Sequence, residues 1–390
     1  MSKKNNFLPF AKPSIDHNEV NAVIDVMQSG WITTGKENLI FENNFAKYES
    51  SKYAISVNSA TAGLHLALEA IGIKSGDKVA TSTYTFTATA EAIRYLGAEV
   101  IFVDIDEKTF NLDVEQLESK FEEFPEIKAI IPVHFAGQIC DMDPILDIAK
   151  KYDCKIVNDA AHALPSSYKD KRLIELGDIS VFSFYATKSI TTGEGGMIIT
   201  NNSDYKDRIS IMRSHGINNI AFDRYTSEKP SWYYDVIEAG FKYNLTDIAS
   251  AIGIEQLKKC NLLHEKRTSI AAEYNKELED LPLDTPFISS ATTMHSWHLY
   301  VISLHLDKMN ITRNEFIELM NEKGVGTSVH FIPLHIQPYW RDLYGFSKND
   351  FPKSIKSFER NVSLPIYPDM TKEDISKVTK SVKNILAKYT

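Results

Sequence analysis

The sequence predicts an α/β protein, with a mostly parallel sheet in a large domain and a smaller α+β domain after it. Three observations predict this. Short strand-like apolar runs alternate with helical patterns between about residues 50 and 200, the signature of βαβ crossovers. The alternation stops after a long helical stretch at 247–279, beyond which strands and helices are fewer. At 390 residues the chain also exceeds what one small core needs. The division expected is 1–255 for the large domain and 256–390 for the small one.

Apolar residues at helical spacing mark 62–71 as a helix, and 78–83 suits a short strand. A helix is expected at 87–96, then a strand at 99–103 (EVIFV). Further strands are expected at 128–133, 155–158, 179–184 and 197–200, with a helix covering 146–151. The segment 217–238 is polar, aromatic-rich and poorly periodic, so it is expected to be a long loop, a feature that is often functional. In the second half, strands are expected at 297–304 and 326–331, with helices at 312–323 and 372–389.

Composition narrows the function. A net charge of −9 argues against a nucleic-acid or anionic-membrane surface, which needs a basic excess. The three cysteines, Cys140, Cys154 and Cys260, form no C-x-x-C pair and suit reduced thiols. Residues 1–10 lack the apolar core of a signal peptide, and no apolar run is long enough to cross a membrane. A cytoplasmic protein is expected. No Cys/His/Asp cluster has metal-ligand spacing, so no metal is expected.

Ligands of open α/β sheets bind at the carboxyl ends of the strands. Three separated segments bring reactive residues there. Ser59 and Thr61 stand in a small-residue run just before a helix, where backbone N–H groups and hydroxyls suit a phosphate; a plain N-cap would look the same. The strand at 155–158 runs directly into Asp159. The strand at 179–184 is followed by Lys188 and a Gly-rich turn, among neighbours that are small, hydroxylated or apolar. Each alone has a bland reading, as cap, turn or solvated lysine. Together they match pyridoxal 5′-phosphate (PLP), which needs a lysine amine, a carboxylate at its pyridine nitrogen and a phosphate cup.

The sequence resembles the DegT/StrS family of sugar-nucleotide aminotransferases, over nearly its whole length. The resemblance rests on GWITTG at 30–35, NSATAGLHLAL at 58–68, DAAH at 159–162, the Lys188 segment at 182–196, GFKYNLTD at 240–247, VHFIPLH at 329–335 and SLPIYP at 363–368. It implies the aspartate-aminotransferase (type I) fold and PLP carried on Lys188. It also implies Asp159 at the pyridine nitrogen, Thr61, Ala62 and Ser183 at the phosphate, Phe86 stacked on the ring and His162 beside the ring's 3-oxygen. Asn244 matches an asparagine that reaches the neighbouring subunit's cofactor, implying a homodimer with shared active sites. Trp31, Thr33, His330 and His335 are placed toward the sugar nucleotide, each against a packing alternative.

Segments including 7–10, 297–299 and 368–371 look like relatives that aminate a UDP-linked 4-keto pentose, and 329–335 like those acting on UDP-linked 4-keto-6-deoxy-N-acetylhexosamines. L-glutamate as amino donor follows from the resemblance. Position 158 is Asn where many relatives have Glu, and position 189 is Ser where Asn is common. The rivals are a 3-keto-sugar aminotransferase, a sugar 3-dehydratase, whose lysine position holds His, and a PLP-binding regulator without turnover. Arg213 is expected to be a solvent-facing helical arginine.

Overall fold

The computed structural model describes residues 7–218 and 232–390. Of the expected loop at 217–238, residues 219–231 lie outside the described residues. Eight strands occupy the first half: β1 (Tyr53–Val57), β2 (Lys78–Ser82), β3 (Glu99–Val103), β4 (Ile127–Ile131), β5 (Lys155–Asp159), β6 (Ser167–Tyr168), β7 (Ile179–Ser183) and β8 (Gly196–Thr200). Seven of them form one sheet in the order β1-β8-β7-β5-β4-β2-β3, while β6 pairs elsewhere. Only β8 runs antiparallel to its neighbours in that sheet.

The two faces of the sheet sort the side chains by the strand's two-residue period. Val79, Val100, Phe102, Val157, Val181 and Ile198 join one apolar cluster. Their neighbours Ala80, Ile101, Val103, Ile156, Phe182 and Ile199 join the other. The first face is covered by the helix Ala60–Ala70, whose Gly63 permits close approach: a Cβ there would lie 2.6 Å from Val181 Cγ1. The second carries Phe41 and Phe45 of the helix Lys36–Tyr48, both fully buried.

The rest of the chain adds β9 (Leu283–Asp284), β10 (Thr292–Met294), β11 (Tyr300–Leu304) and β12 (Asn361–Leu364). β12, β11 and β9 form a separate three-stranded sheet. Its apolar cluster draws on the helices Cys260–Leu278, Arg313–Glu322 and Lys372–Tyr389, and it takes in Leu8 from the beginning of the chain. Two expectations fail here. The stretch 247–279 is two helices that break at Lys259, because Asp247–Lys258 packs on the N-terminal helices while Cys260–Leu278 packs on the last helix. We propose that the two domains divide at this break, close to the boundary drawn at 255/256. Residues 326–331 are no strand; Ser328 makes one isolated bridge to Ser363. Among the described residues no helix is long and apolar enough to cross a membrane.

The GWITTG and NLTD segments explain each other. Gly35 begins the helix Lys36–Tyr48 without a capping side chain of its own. Asp247 supplies the cap from far along the chain: Oδ1 accepts from the Gly35 and Asn38 N–H groups at 2.7 and 3.0 Å, and Oδ2 from Glu37 at 3.2 Å. A side chain at position 35 would strike Trp31 and that carboxylate. Arg213 also departs from expectation. It is buried, and its guanidinium bonds Glu42 and the Ser56 carbonyl, since a cation inside the fold persists only when paired.

Two predictions follow from this packing. Asp247→Ala leaves three N–H groups unmet and is expected to lower unfolding free energy by about 1–3 kcal/mol, seen as a lower urea midpoint. The second concerns His134 and His295, whose burial pushes both pKa values down to about 3. Both rings stay neutral in the native protein, whereas the unfolded chain takes up protons as pH falls below about 6.5. Stability is therefore lost on acidification, by about 1.4 kcal/mol per ring per pH unit below about 6, until the native rings titrate. Urea unfolding at about pH 7, 6 and 5 measures this, and a flat profile contradicts it.

Candidate active site

Asp159 ends β5 and Ser183 ends β7, adjacent parallel strands, so both residues stand at the carboxyl edge of the sheet. Lys188 follows β7 by five residues, and its N–H bonds the Tyr185 carbonyl in a tight turn. Its side chain has no hydrogen bond or ion pair among the described residues. Burial pulls the amine down to about 8, against the attraction of Asp159. Burial likewise raises the Asp159 pKa, opposed by Thr89, the Ala161 N–H and Lys188. The Thr89 hydroxyl donates to Oδ2 at 2.8 Å and the Ala161 N–H to Oδ1 at 3.1 Å, so each oxygen keeps a lone pair. Thr89 went unnoticed in the sequence; its only signal is the Thr-rich run 85–89, and Thr85 in fact bonds it at 2.9 Å.

Ser59 is the N-cap of Ala60–Ala70 and accepts the Ala62 N–H at 3.1 Å. The cap expectation and the phosphate expectation thus coexist at one helix start, with Thr61 and Ala62 in its first turn. Gly196 of β8 lets that start press against the sheet: a Cβ there would meet Ala60 N, Ser59 C and Phe182 O at 2.9 Å each. Phe86 is 61% exposed at the start of the helix Thr87–Tyr95 that carries Thr89.

His162 is buried, and its Nδ1 accepts the Ala136 N–H at 3.2 Å. That bond requires a bare Nδ1, so the neutral ring carries its proton on Nε2. Burial, reinforced by Lys188 and His330, drives its pKa well below the usual value, keeping it neutral. Its ring lies 5.9 Å from Phe331 and 4.3 Å from His298. His330 feels the charge of Lys188 and bonds Ser363 through Nδ1 at 2.8 Å. One expected member lies elsewhere. His335 is fully buried, with Nδ1 on the Thr83 hydroxyl at 3.0 Å and Nε2 on the Lys348 carbonyl at 3.3 Å, so both nitrogens serve packing.

Asn244 is joined to the GWITTG loop: its Nδ2 bonds Thr34 Oγ1 at 2.6 Å. Trp31 Nε1 bonds the Thr34 carbonyl, and the Thr33 carbonyl accepts the Asp247 N–H. Asn244, Thr34, Trp31, Thr33 and Asp247 are thus tied together. Asn158 is buried among polar partners: Oδ1 meets His134 Nε2 at 3.2 Å and Nδ2 meets Ser180 at 3.2 Å.

A half-buried amine without a partner, a buried carboxylate with spare lone pairs, and a helix N-terminus at one sheet edge are the groups PLP requires. The residues present fit that cofactor.

The DegT/DnrJ/EryC1/StrS aminotransferase family profile matches residues 13–383. An uncharacterized protein of Methanocaldococcus jannaschii is 49% identical over 385 residues, covering 98% of this chain and 99% of that protein. The spore coat polysaccharide biosynthesis protein SpsC of Bacillus subtilis is 42% identical over 388 residues, covering 99% of each. Among solved structures, Spr1654 of Streptococcus pneumoniae in its PMP form superposes with a TM-score of 0.90 at 30% identity, covering 98% of this chain and 99% of that one. PseC of Helicobacter pylori, an aminotransferase involved in pseudoaminic acid biosynthesis, has a TM-score of 0.90 at 28% identity, covering 98% and 100%. The chain belongs to the DegT/DnrJ/EryC1/StrS aminotransferase family and is a PLP-dependent aminotransferase of the type I fold.

Proposed function

We propose that the protein moves an amino group from L-glutamate to the C4 ketone of a UDP-linked keto sugar, a 4-keto pentose or 4-keto-6-deoxyhexose. The observation that carries the reading is Lys188, an unpartnered amine lowered to about 8 that faces the buried Asp159. A saccharide acceptor is supported by what SpsC and PseC are named for. PLP supplies an electron sink that makes the carbon–hydrogen bond beside the transferred nitrogen acidic.

The chain's own groups do the rest. Lys188 holds the cofactor between turnovers. Once displaced by the amino donor, its amine has a neutral fraction near neutral pH, so it takes the proton from the donor's Cα and later delivers one to the sugar's C4. Asp159 keeps a proton at the pyridine nitrogen, with Thr89 holding the carboxylate in place. His162 would offer its Nε2–H to the ring's 3-oxygen. Ser59, Thr61, Ala62 and Ser183 take the phosphate, and Phe86 covers the ring. Trp31, Thr33 and His330 face the sugar nucleotide, and His335 drops out of that set.

A homodimer with shared sites completes the reading, with Asn244 reaching the partner's phosphate. Its support is an apolar surface on the helix His17–Ser29, where Val20, Ile24 and Met27 are exposed. Val20 and Ile24 line a groove with Ala186 and Thr191, which flank Lys188. A cytoplasmic site of action, where nucleotide sugars are made, accords with this reading.

Lys188→Ala is expected to lower turnover at least ~1,000-fold at an unchanged urea midpoint, because anchor and proton carrier are lost together. Retained turnover sinks the assignment. For the acceptor, the PLP-loaded protein is first bleached with L-glutamate and then offered UDP- and dTDP-linked 4-keto and 3-keto sugars. Recovery of the visible absorbance by a UDP-linked 4-keto sugar is expected; recovery by 3-keto sugars alone overturns the regiochemistry.

A further inference from the structure

One buried base beside Lys188 has no part in the reaction as derived. His298 precedes β11 and is 6% exposed. Its ring centroid lies 4.3 Å from that of His162, inclined by 39°. His162, Lys188, Arg267 and His330 all press on it electrostatically. Its Nδ1 is sealed in the interior without a partner. Its Nε2 likewise has no hydrogen bond among the described residues, but it is not among the sealed atoms.

A packing role does not account for this. An apolar residue fills a buried space without the cost of an unmet polar atom. The chain on either side of it is tied to the large domain: the Leu299 N–H bonds the Ala136 carbonyl at 3.3 Å, and the Ser296 hydroxyl bonds the His162 carbonyl at 2.5 Å. A sealed N–H without an acceptor costs more than a bare lone pair, so the neutral ring keeps its proton on Nε2. His298 and His162 are then two adjoining imidazoles, each with an Nε2–H to give.

We propose that His298 is a substrate-contacting residue that donates this N–H to the α-carboxylate of the amino donor. The inference rests on the transamination reading above. The cationic groups that act on this ring are Lys188 and Arg267. An N–H donor without an acceptor in their field suits an anion. The donor's α-carboxylate is one bond from the carbon that reacts at Lys188. The sugar nucleotide's diphosphate hangs from C1, across the sugar ring from C4, and stays several bonds away.

The test compares wild type with His298→Phe, which keeps a ring, and His298→Asn, which keeps an N–H donor, all PLP-loaded. His298→Phe is expected to raise KM for L-glutamate about 10- to 100-fold, the loss of one hydrogen bond to a charged group. KM for the keto sugar and the urea midpoint stay within twofold of wild type, and His298→Asn recovers part of the loss. In ¹⁵N NMR of the wild type, the His298 Nε2 signal moves on adding α-methyl-L-glutamate, which has no Cα proton to lose. An unchanged KM for L-glutamate in His298→Phe, a loss confined to the keto sugar, or a still Nε2 signal overturns the proposal while leaving transamination standing. A wild-type protein that no amino donor bleaches overturns both.

Discussion

The arrangement of the site depends on keeping one carboxylate, Asp159, inside the protein. Burying a charge without partners costs several kcal/mol and ordinarily ends in its neutralisation. Asp159 is 6% exposed, yet three separate parts of the fold attend it. The helix Thr87–Tyr95 brings Thr89, the turn after β5 brings the Ala161 N–H, and the turn after β7 brings Lys188. Each depends on a neighbour in the sheet: β2 launches that helix, and β7 pairs with β5. The strand order β7-β5-β4-β2 is thus what assembles the partners of one anion. The same carboxylate works against the desolvation of Lys188, which would otherwise lower the amine further.

The second constraint is neutrality among the histidines. His134, His162 and Cys140 share a compact scheme in which each ring's Nδ1 accepts a backbone N–H, from Cys140 for His134 and from Ala136 for His162. The acceptor role fixes both protons on Nε2. For His134 that proton meets Asn158 Oδ1. A charged Glu at 158 would face the same interior and want a cation; the neutral pair here needs none.

Much of this was legible in the sequence, for reasons that differ by residue. The strand 99–103 and the helix 372–389 coincide with the structure, because apolar periodicity is strong in both. The places of Lys188, Asp159 and Ser59 at strand ends and a helix start were legible because these are local signals, whereas a role for them came only from their combination. Arg213 was misread: its burial is settled by Glu42 and Ser56, residues far away in the chain. His335 takes its packing alternative for the same reason, since Thr83 and Lys348 take its nitrogens. The break at Lys259 was invisible to periodicity because both helices are regular; what separates them is the different partner each packs on.

His298 shows where that limit matters for function. Nothing local distinguishes it from a core histidine, and the residues that make it unusual come from β5, from the turn after β7 and from the loop at 135–137. Only the fold sets it against His162 and leaves its nitrogens unmet. The C-terminal half thereby brings His298 and His330 within electrostatic reach of Lys188, which comes from the large sheet. A shift between the halves would move these imidazoles relative to Lys188 while leaving the Lys188–Asp159 pair intact. On the proposed reading, Trp31 and Thr33 from the first half and His298 and His330 from the second face the substrates. Both halves of the chain thus shape the substrate contacts, while Asp159 keeps its place at the end of β5 and Lys188 in the turn after β7.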